Sequence, residues 1–423
     1  MRIGLFTDTY RPSVNGIVYV VEILRRNLET LGHEVFIFAP AASIRNYQDE
    51  DDHIIRFPAF KGAIYDDYAA SLFFPSRVLK RVKELELDII HFVTPGQVGL
   101  MGVYAASKTK TPLVAEYCTD LFQYAQRYPS ALPGILALGA IVPFTIKLSG
   151  EEILELMRAS RPRSGMGRWS QELVRHLVTV VHSHSDAVIA HSRKTLEQLE
   201  SWETENPYPI HVIPTGIDAL PKPTKAQTTA FRQQWDLQPD DEMVLYVGRL
   251  SVEKNLDILI DMMSELIKWR PHAKLMYVGD FDYRETLEQK AKDSPAASRI
   301  IFTGTIPREQ LGSAYASAMV FVFPSLTDTQ GLVVHEAAQA GLPIVLIDEA
   351  VTEIVKDGKN GYICQNDAVD MAAKVRAILE DPKRRAAFAK QSKQLASKFS
   401  ESKQSRKIAN LYESLIAQAK AKM

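Results

Sequence analysis

Ser325-Leu326-Thr327-Asp328-Thr329-Gln330-Gly331-Leu332-Val333-Val334-His335-Glu336-Ala337-Ala338-Gln339-Ala340-Gly341 follows directly on the apolar run Val320-Phe321-Val322-Phe323-Pro324. The run reads as a strand buried on both faces, the kind found in parallel sheets, and a helix opens at about Gly331. Asp328 in the loop and Glu336 in the helix are placed to meet one ligand held over the helix N-terminus. The backbone N–H groups that follow Gln330, at Gly331, Leu332 and Val333, would point at that ligand, and the helix dipole there favours an anion such as a phosphate. Carboxylates accept from sugar hydroxyls while amides hold phosphate oxygens, so the stretch suits a sugar phosphate. The same residues also fit a capped, buried helix with Asp328 in a turn and Glu336 turned outward.

Working outward, the second half alternates strands with helices: Met243–Val247, Lys274–Val278, Ile300–Phe302, Val320–Phe323 and Pro343–Ile347 are apolar runs separated by helical segments. That is an α/β chain with a parallel sheet. The first of these strands ends in Gly248-Arg249, and Lys254 follows, which sets two cations at the carboxyl edge where a diphosphate would sit. Pairing of those cations with Glu253 or Asp257 is the plainer alternative. Asp280-Phe281-Asp282 matches a metal-holding Asp-x-Asp formally, but aspartates at a strand end are common loop residues.

The first half has the same plan. Ile3–Thr7 is a strand, Ile17–Leu31 a helix and Glu34–Ala39 a second strand, with Gly16 where the chain turns into the helix and could let a ligand approach. Asp88–Phe92 is a strand that would deliver His91 to the sheet rim. Pro112–Ala115 is another, followed by Glu116, Tyr117, Cys118, Thr119 and Asp120; His91, Tyr117, Cys118 and Asp120 are therefore the candidates on the acceptor side. A hinge is expected near Pro214–Lys225. The expected domains are 1–214 and 215–395, with 396–423 a helix docking back toward the N-terminal domain.

Three segments raise the question of lipid. Ser76 could cap a helix with Val78, Leu79, Val82 and Leu85 on one side and Arg77, Lys80, Arg81 and Lys83 elsewhere; with Phe73 and Phe74 at its entry it could lie on an anionic membrane surface or be a solvated crossover helix. Leu132–Leu148, broken by Pro133 and Pro143, falls short of the roughly 20 residues of a spanning helix and reads as a lid, an acceptor groove or a monotopic element, or as a packed hairpin. Ser160–Arg168 is a basic loop that could meet lipid headgroups or phosphate.

Composition narrows the classes. The 423 residues exceed what one core usually serves, and 46% hydrophobic with 24% charged residues at a net charge of -1 is ordinary for a globular protein. There is no basic excess to neutralise nucleic-acid phosphates. Two cysteines, Cys118 and Cys364, make neither a disulfide framework nor a zinc spacing and fit a reducing compartment. His176, His182, His184 and His191 lack acidic or Cys partners at ligand spacing, so no metal is expected. The apolar stretch before Asp8 is too short for a signal peptide. The expected location is cytoplasmic, peripheral on the inner face of the cell membrane.

Several motifs occur together: Asn15-Gly16, GHEV at Gly32–Val35, VIPTGID at Val212–Asp218, VGRLSVEKN at Val247–Asn255, FTG at Phe302–Gly304 and FPSLTDTQGLVVHEAAQAGLPIV at Phe323–Val345. In their order and spacing the chain resembles the family-4 retaining glycosyltransferases of GT-B fold. DIIHFVTPGQVGLMG at Asp88–Gly102 and YCTDLFQYAQRY at Tyr117–Tyr128 look most like the branch acting on diacylglycerol-type lipids. The resemblance implies two Rossmann-like domains facing across a cleft, and a nucleotide-diphosphate sugar as donor with no further cofactor. It implies Arg249 and Lys254 on the diphosphate, Glu336 on the ribose, Asp328 on the sugar hydroxyls, and Gly16, Gly248, Gln330, Gly331, Leu332 and Val333 around the donor. A lipid hydroxyl would be the acceptor. Two positions depart from the family: Asp328 stands where Glu is usual, and Cys118 where His is common. A sugar-nucleotide epimerase or an inactive binding protein on the same fold is the alternative.

Overall fold

The computed structural model describes all residues except 14, 42–46, 48, 50, 62–68, 72–73, 119, 121, 123–131, 162–165, 203–206 and 423. Its chain divides into two units, Met1–Thr215 with Glu401–Met423, and Gly216–Ser400.

In the first unit the strands β1 (Arg2–Phe6), β2 (Glu34–Pro40), β3 (Ile54–Phe57), β6 (Ile89–Phe92), β7 (Leu113–Tyr117), β8 (Ala187–Ala190) and β9 (Ile210–Val212) form one sheet in the order β3-β2-β1-β6-β7-β8-β9. Every pairing is parallel. Short strands β4 (Ala59–Lys61) and β5 (Ala69–Ser71) pair antiparallel beside it. The apolar runs are explained by this topology, because helices cover both faces of a parallel sheet and leave no solvent side for polar residues.

The closing helix Glu401–Ala421 belongs to this unit and buries Ile408, Ala409, Tyr412 and Leu415 in one cluster with Val18, Val21, Leu24 and Leu28 of the helix Gly16–Thr30. Arg26 pairs with Glu401 at the start of that contact. Gly16 opens the helix without left-handed backbone, and a Cβ there would meet nothing within 4 Å, so this structure makes no use of its missing side chain. Asn15 caps the helix by accepting from Val18 N at 3.0 Å.

The second unit carries β10 (Glu242–Val247), β11 (Ala273–Val278), β12 (Ile300–Phe302), β13 (Val320–Phe323), β14 (Ile344–Leu346) and β15 (Gly361–Ile363) in the order β12-β11-β10-β13-β14-β15. All five pairings are parallel. This is the doubly wound order of dinucleotide-binding sheets. The winding reverses between β10 and β13, and the crevice outside the strand ends at such a reversal is where open α/β sheets hold ligands. The first sheet reverses in the same way between β1 and β6.

Candidate active site

In the second unit, the loop after β10 and the loop after β13 are fastened to each other at that reversal. Asn255 Nδ2 donates to Pro324 O at 3.3 Å and Thr327 Oγ1 to Glu253 O at 3.1 Å. Gly248 leaves β10 with φ +153°, and a Cβ on it would stand 2.7 Å from the Tyr246 hydroxyl oxygen. A side chain at 248 would be strained and would crowd the ring beneath the loop. Gly248 thereby turns Arg249 and the following short turn Val252–Lys254 out over the strand ends.

Lys254 and Asp328 meet here, Nζ to Oδ1 at 2.6 Å, with side chains 13% and 22% exposed. Arg249 lies with its guanidinium 5.0 Å from the centre of the Phe281 ring and 3.7 Å from Glu253 Oε1. Glu253 also accepts from Ser251 Oγ at 2.5 Å. Burial alone would raise the Glu253 carboxyl, but the Ser251 hydroxyl, its own backbone N–H and the charges of Lys254 and Arg249 outweigh it and hold the group below the usual range. A fixed anion thus stands beside two fixed cations.

Glu336 is buried in the helix Leu332–Ala340, accepting from the Tyr315 hydroxyl at 2.9 Å with Arg308 Nη1 at 3.6 Å from its other oxygen. Burial raises its pKa against the pull of Tyr315 and Arg308. Asp328 and Glu336 therefore have separate partners, and neither is the outward or merely turn-forming residue of the alternative reading. Arg308 and Tyr315 come from the helix Arg308–Ser317. Sequence reasoning missed both, since nothing local marks a side chain that reaches a residue on another helix.

The helix Leu332–Ala340 has no side-chain cap at Gly331. Of the three amides expected to face a ligand, Leu332 N–H is turned to Gln330 O at 3.0 Å, which corrects the expectation for that one group. Among the aspartates of Asp280-Phe281-Asp282, Asp280 is engaged by Arg284 at 2.9 Å.

The first unit corrects its candidates more strongly. His91 lies inside the sheet, not at its rim, with no exposed surface. Its Nε2 is 3.0 Å from Glu116 Oε2 and its Nδ1 is 2.6 Å from the Tyr412 hydroxyl. His191 Nε2 holds the other oxygen of Glu116 at 2.7 Å, and its Nδ1 faces Ile213 O at 3.2 Å. A carbonyl only accepts, so His191 Nδ1 donates there. Burial would raise Glu116, but His191 and then His91 overcome it and lower the group to about 2. Tyr117 is buried and donates to Asp120 Oδ1 at 3.2 Å, which also accepts from Gln198 at 3.1 Å. Burial, with Asp120 beside it, pushes the Tyr117 phenol well above its ordinary value. Half-buried Cys118 donates to Val93 O at 3.0 Å. Strand alternation could not distinguish a rim residue from one facing a helix-covered side.

Among the described residues no group of three or more His, Cys, Asp or Glu could hold a metal ion, and no helix is long and apolar enough to cross a membrane. His182 is buried and lowered to about 3 by that burial. The helix Pro75–Leu85 opens on Pro75 with no side-chain cap, so Ser76 is not its cap. Its Val78, Val82 and Leu85 are spent in the core. Arg77 lies over the Phe57 ring, and Lys80 and Arg81 lie 3.9 and 3.2 Å from Glu84. This is a solvated crossover helix, without a free apolar side for a membrane. Phe73 lies outside the described residues, as do Thr119, most of the stretch to Tyr128, and the centre of the basic loop at 162–165.

The chain matches the profile of "Glycosyltransferase Family 4" over residues 14–219 and that of "Glycosyl transferases group 1" over residues 227–395. It is 28% identical to an alpha-monoglucosyldiacylglycerol synthase of Streptococcus pneumoniae over 82% of this chain and 70% of that one. It is 26% identical to the sulfoquinovosyl transferase SQD2 of Arabidopsis thaliana over 94% of this chain and 70% of that one. Its fold is that of Anabaena Alr3699/HepE, solved in complex with UDP-glucose, with a TM-score of 0.68 at 19% identity, covering 98% of this chain and 100% of the other.

Proposed function

Because the chain belongs to the family-4 glycosyltransferases, we propose that it moves a sugar from a nucleoside diphosphate to the hydroxyl of a diacylglycerol-type lipid with the anomeric configuration kept. The observation that carries the reading is the ring of charge at the reversal of the second sheet: Lys254 on Asp328, Arg249 beside Glu253, and an uncapped helix N-terminus. The lipid acceptor is supported by the relatives named as alpha-monoglucosyldiacylglycerol synthases.

In this reading Arg249 and Lys254 hold the diphosphate, and their charges stabilise the negative charge that grows on it as the bond from the sugar's anomeric carbon breaks. They supply the positive charge that a metal ion provides in other transferases. Asp328 receives a sugar hydroxyl when Lys254 turns to phosphate. Glu336, steadied by Tyr315, receives the ribose hydroxyls. The acceptor oxygen bonds to the anomeric carbon and its proton passes to the departing phosphate oxygen, so no separate base is required.

The test is transfer from a panel of labelled sugar nucleotides to diacylglycerol in mixed micelles. Arg249→Ala and Lys254→Ala should each lower turnover by about 100-fold or more. Near-normal transfer by both variants would overturn the assignment, and donor consumption without an acceptor product would overturn the lipid part.

A further inference from the structure

On the reading that Arg249 holds the donor diphosphate, we propose that Phe281 is its positioning residue: the ring holds the guanidinium at the sheet reversal before the nucleotide arrives and leaves the N–H donors open to it.

Two groups among the described residues meet the Arg249 guanidinium, Glu253 and the Phe281 ring. The side chain is 57% exposed, and Glu253 Oε1 at 3.7 Å attracts its charge from beyond hydrogen-bonding distance. A long side chain held no better than this would be ordered only by its ligand, and that ordering weakens binding. Phe281 supplies the further hold. Its ring centre lies 5.0 Å from Cζ, where the π face attracts a cation. A π face attracts the delocalised charge without engaging the N–H donors as a hydrogen-bonded carboxylate would, so the fork stays available for phosphate oxygens.

The ring is placed by its own loop and not by Arg249. Leu250 N–H donates to Asp280 O at 3.2 Å and Tyr283 N–H to Leu250 O at 3.0 Å, which laces the loop after β11 to the loop after β10. Gly279 permits that approach: its φ is +138°, and a Cβ on it would stand 1.9 Å from Gly248 O. Asp280 then accepts from Phe281 N at 2.9 Å and from Arg284 Nη1 at 2.9 Å. The first aspartate of Asp280-Phe281-Asp282 thus fixes the backbone of the residue that follows it. These bonds leave the Phe281 side chain 42% exposed beside the cation. A ring that stacked on the nucleobase would be exposed as well, and the two roles part when Arg249 is removed.

Binding of UDP, GDP and ADP to the full-length protein is measured by calorimetry, and the tightest of the three is carried through the variants. Phe281→Ala should weaken it about fivefold, the worth of an exposed cation–π contact. Phe281→Leu, apolar but without a π face, should weaken it about as much, and Phe281→Trp should bind as the parent does. In the Arg249→Ala background Phe281→Ala should change nothing further, because the ring acts through the guanidinium. In the transfer assay Phe281→Ala should raise KM for the donor about fivefold with kcat within about twofold of the parent, as when ground state and transition state lose equally. A weakening by Phe281→Ala that survives in Arg249→Ala assigns the ring to the nucleobase or to the loop and overturns the proposal. Parent-like binding by Phe281→Ala or Phe281→Leu while Arg249→Ala binds weakly overturns it too, as does a fall in kcat at unchanged KM. Unchanged binding by Arg249→Ala, or a parent that binds none of the three nucleotides, overturns the donor assignment itself and this role of Phe281 with it.

Discussion

The two sheets reverse their winding in the same way, and what the chain does at the two reversals is opposite. Between β1 and β6 the buried carboxylate of Asp8 accepts from Thr94 Oγ1 at 2.6 Å, Gly96 N at 2.8 Å and Val98 N at 2.7 Å. Those amides open the helix Gln97–Thr109. A Cβ at position 96 would stand 2.4 Å from the Asp8 carboxyl carbon, so the glycine makes room for it. The chain thus occupies its own helix N-terminus with its own anion. Between β10 and β13 the corresponding helix N-terminus has no side-chain cap, and Lys254 and Arg249 stand beside it with a carboxylate apiece. One topology therefore yields one reversal filled by the chain's own carboxylate and one whose helix N-terminus no side chain caps, and the difference lies in a few side chains.

The sharpest way to break this comparison is to remove each carboxylate. Asp8→Ala leaves three buried donors unsatisfied and should cost about 4 kcal/mol of stability in a urea titration, at roughly 1 to 3 kcal/mol per orphaned group. A change below about 1 kcal/mol would mean that the first reversal is not filled structurally.

Glu116→Gln breaks a buried pair with His191 and should cost about 3 kcal/mol. Its pH dependence has a definite sign. The folded group lies at about 2 against an ordinary 4.5, so its contribution is complete above about pH 4.5 and fades as the pH falls toward 2. The Gln variant should lose that acid arm of the stability profile, and an unchanged arm would assign it to other carboxylates.

Asp328→Asn should do the reverse of Asp8→Ala, lowering transfer by about 100-fold while shifting stability by less than about 1 kcal/mol. A stability loss as large as that at Asp8 would make Asp328 a structural anion too. Smallest of all, Ser251→Ala removes one hydrogen bond to Glu253 and should lower turnover about threefold by loosening the support of Arg249, with about 1 kcal/mol or less lost from the fold.

Much of this was legible in the chain. The apolar runs flanking Gly248 and Ser325 are strands, and Arg249, Lys254 and Asp328 do gather at the ends of two of them. That legibility has a local cause: a strand buried on both faces must be apolar throughout, and residues at its carboxyl end belong to the next loop whatever the rest of the chain does. His91 and Tyr117 misled for a related reason. Each sits in or at the end of such a strand, and the sequence does not say whether the surrounding groups are solvent or, as here, Glu116, Tyr412 and Asp120.

By itself, then, the sequence determined the α/β alternation, the turn at Gly248 and the residue types at the second reversal, because these depend on spacing within one segment. Tertiary structure alone decided that Asp8 fills the first reversal, that His91 and His191 meet on the buried carboxylate of Glu116 with Tyr412 behind His91, and that Glu336 is held by Tyr315. Each of those is a contact between residues distant in the chain, and a side chain's partner in a folded core is fixed by packing that no local pattern encodes.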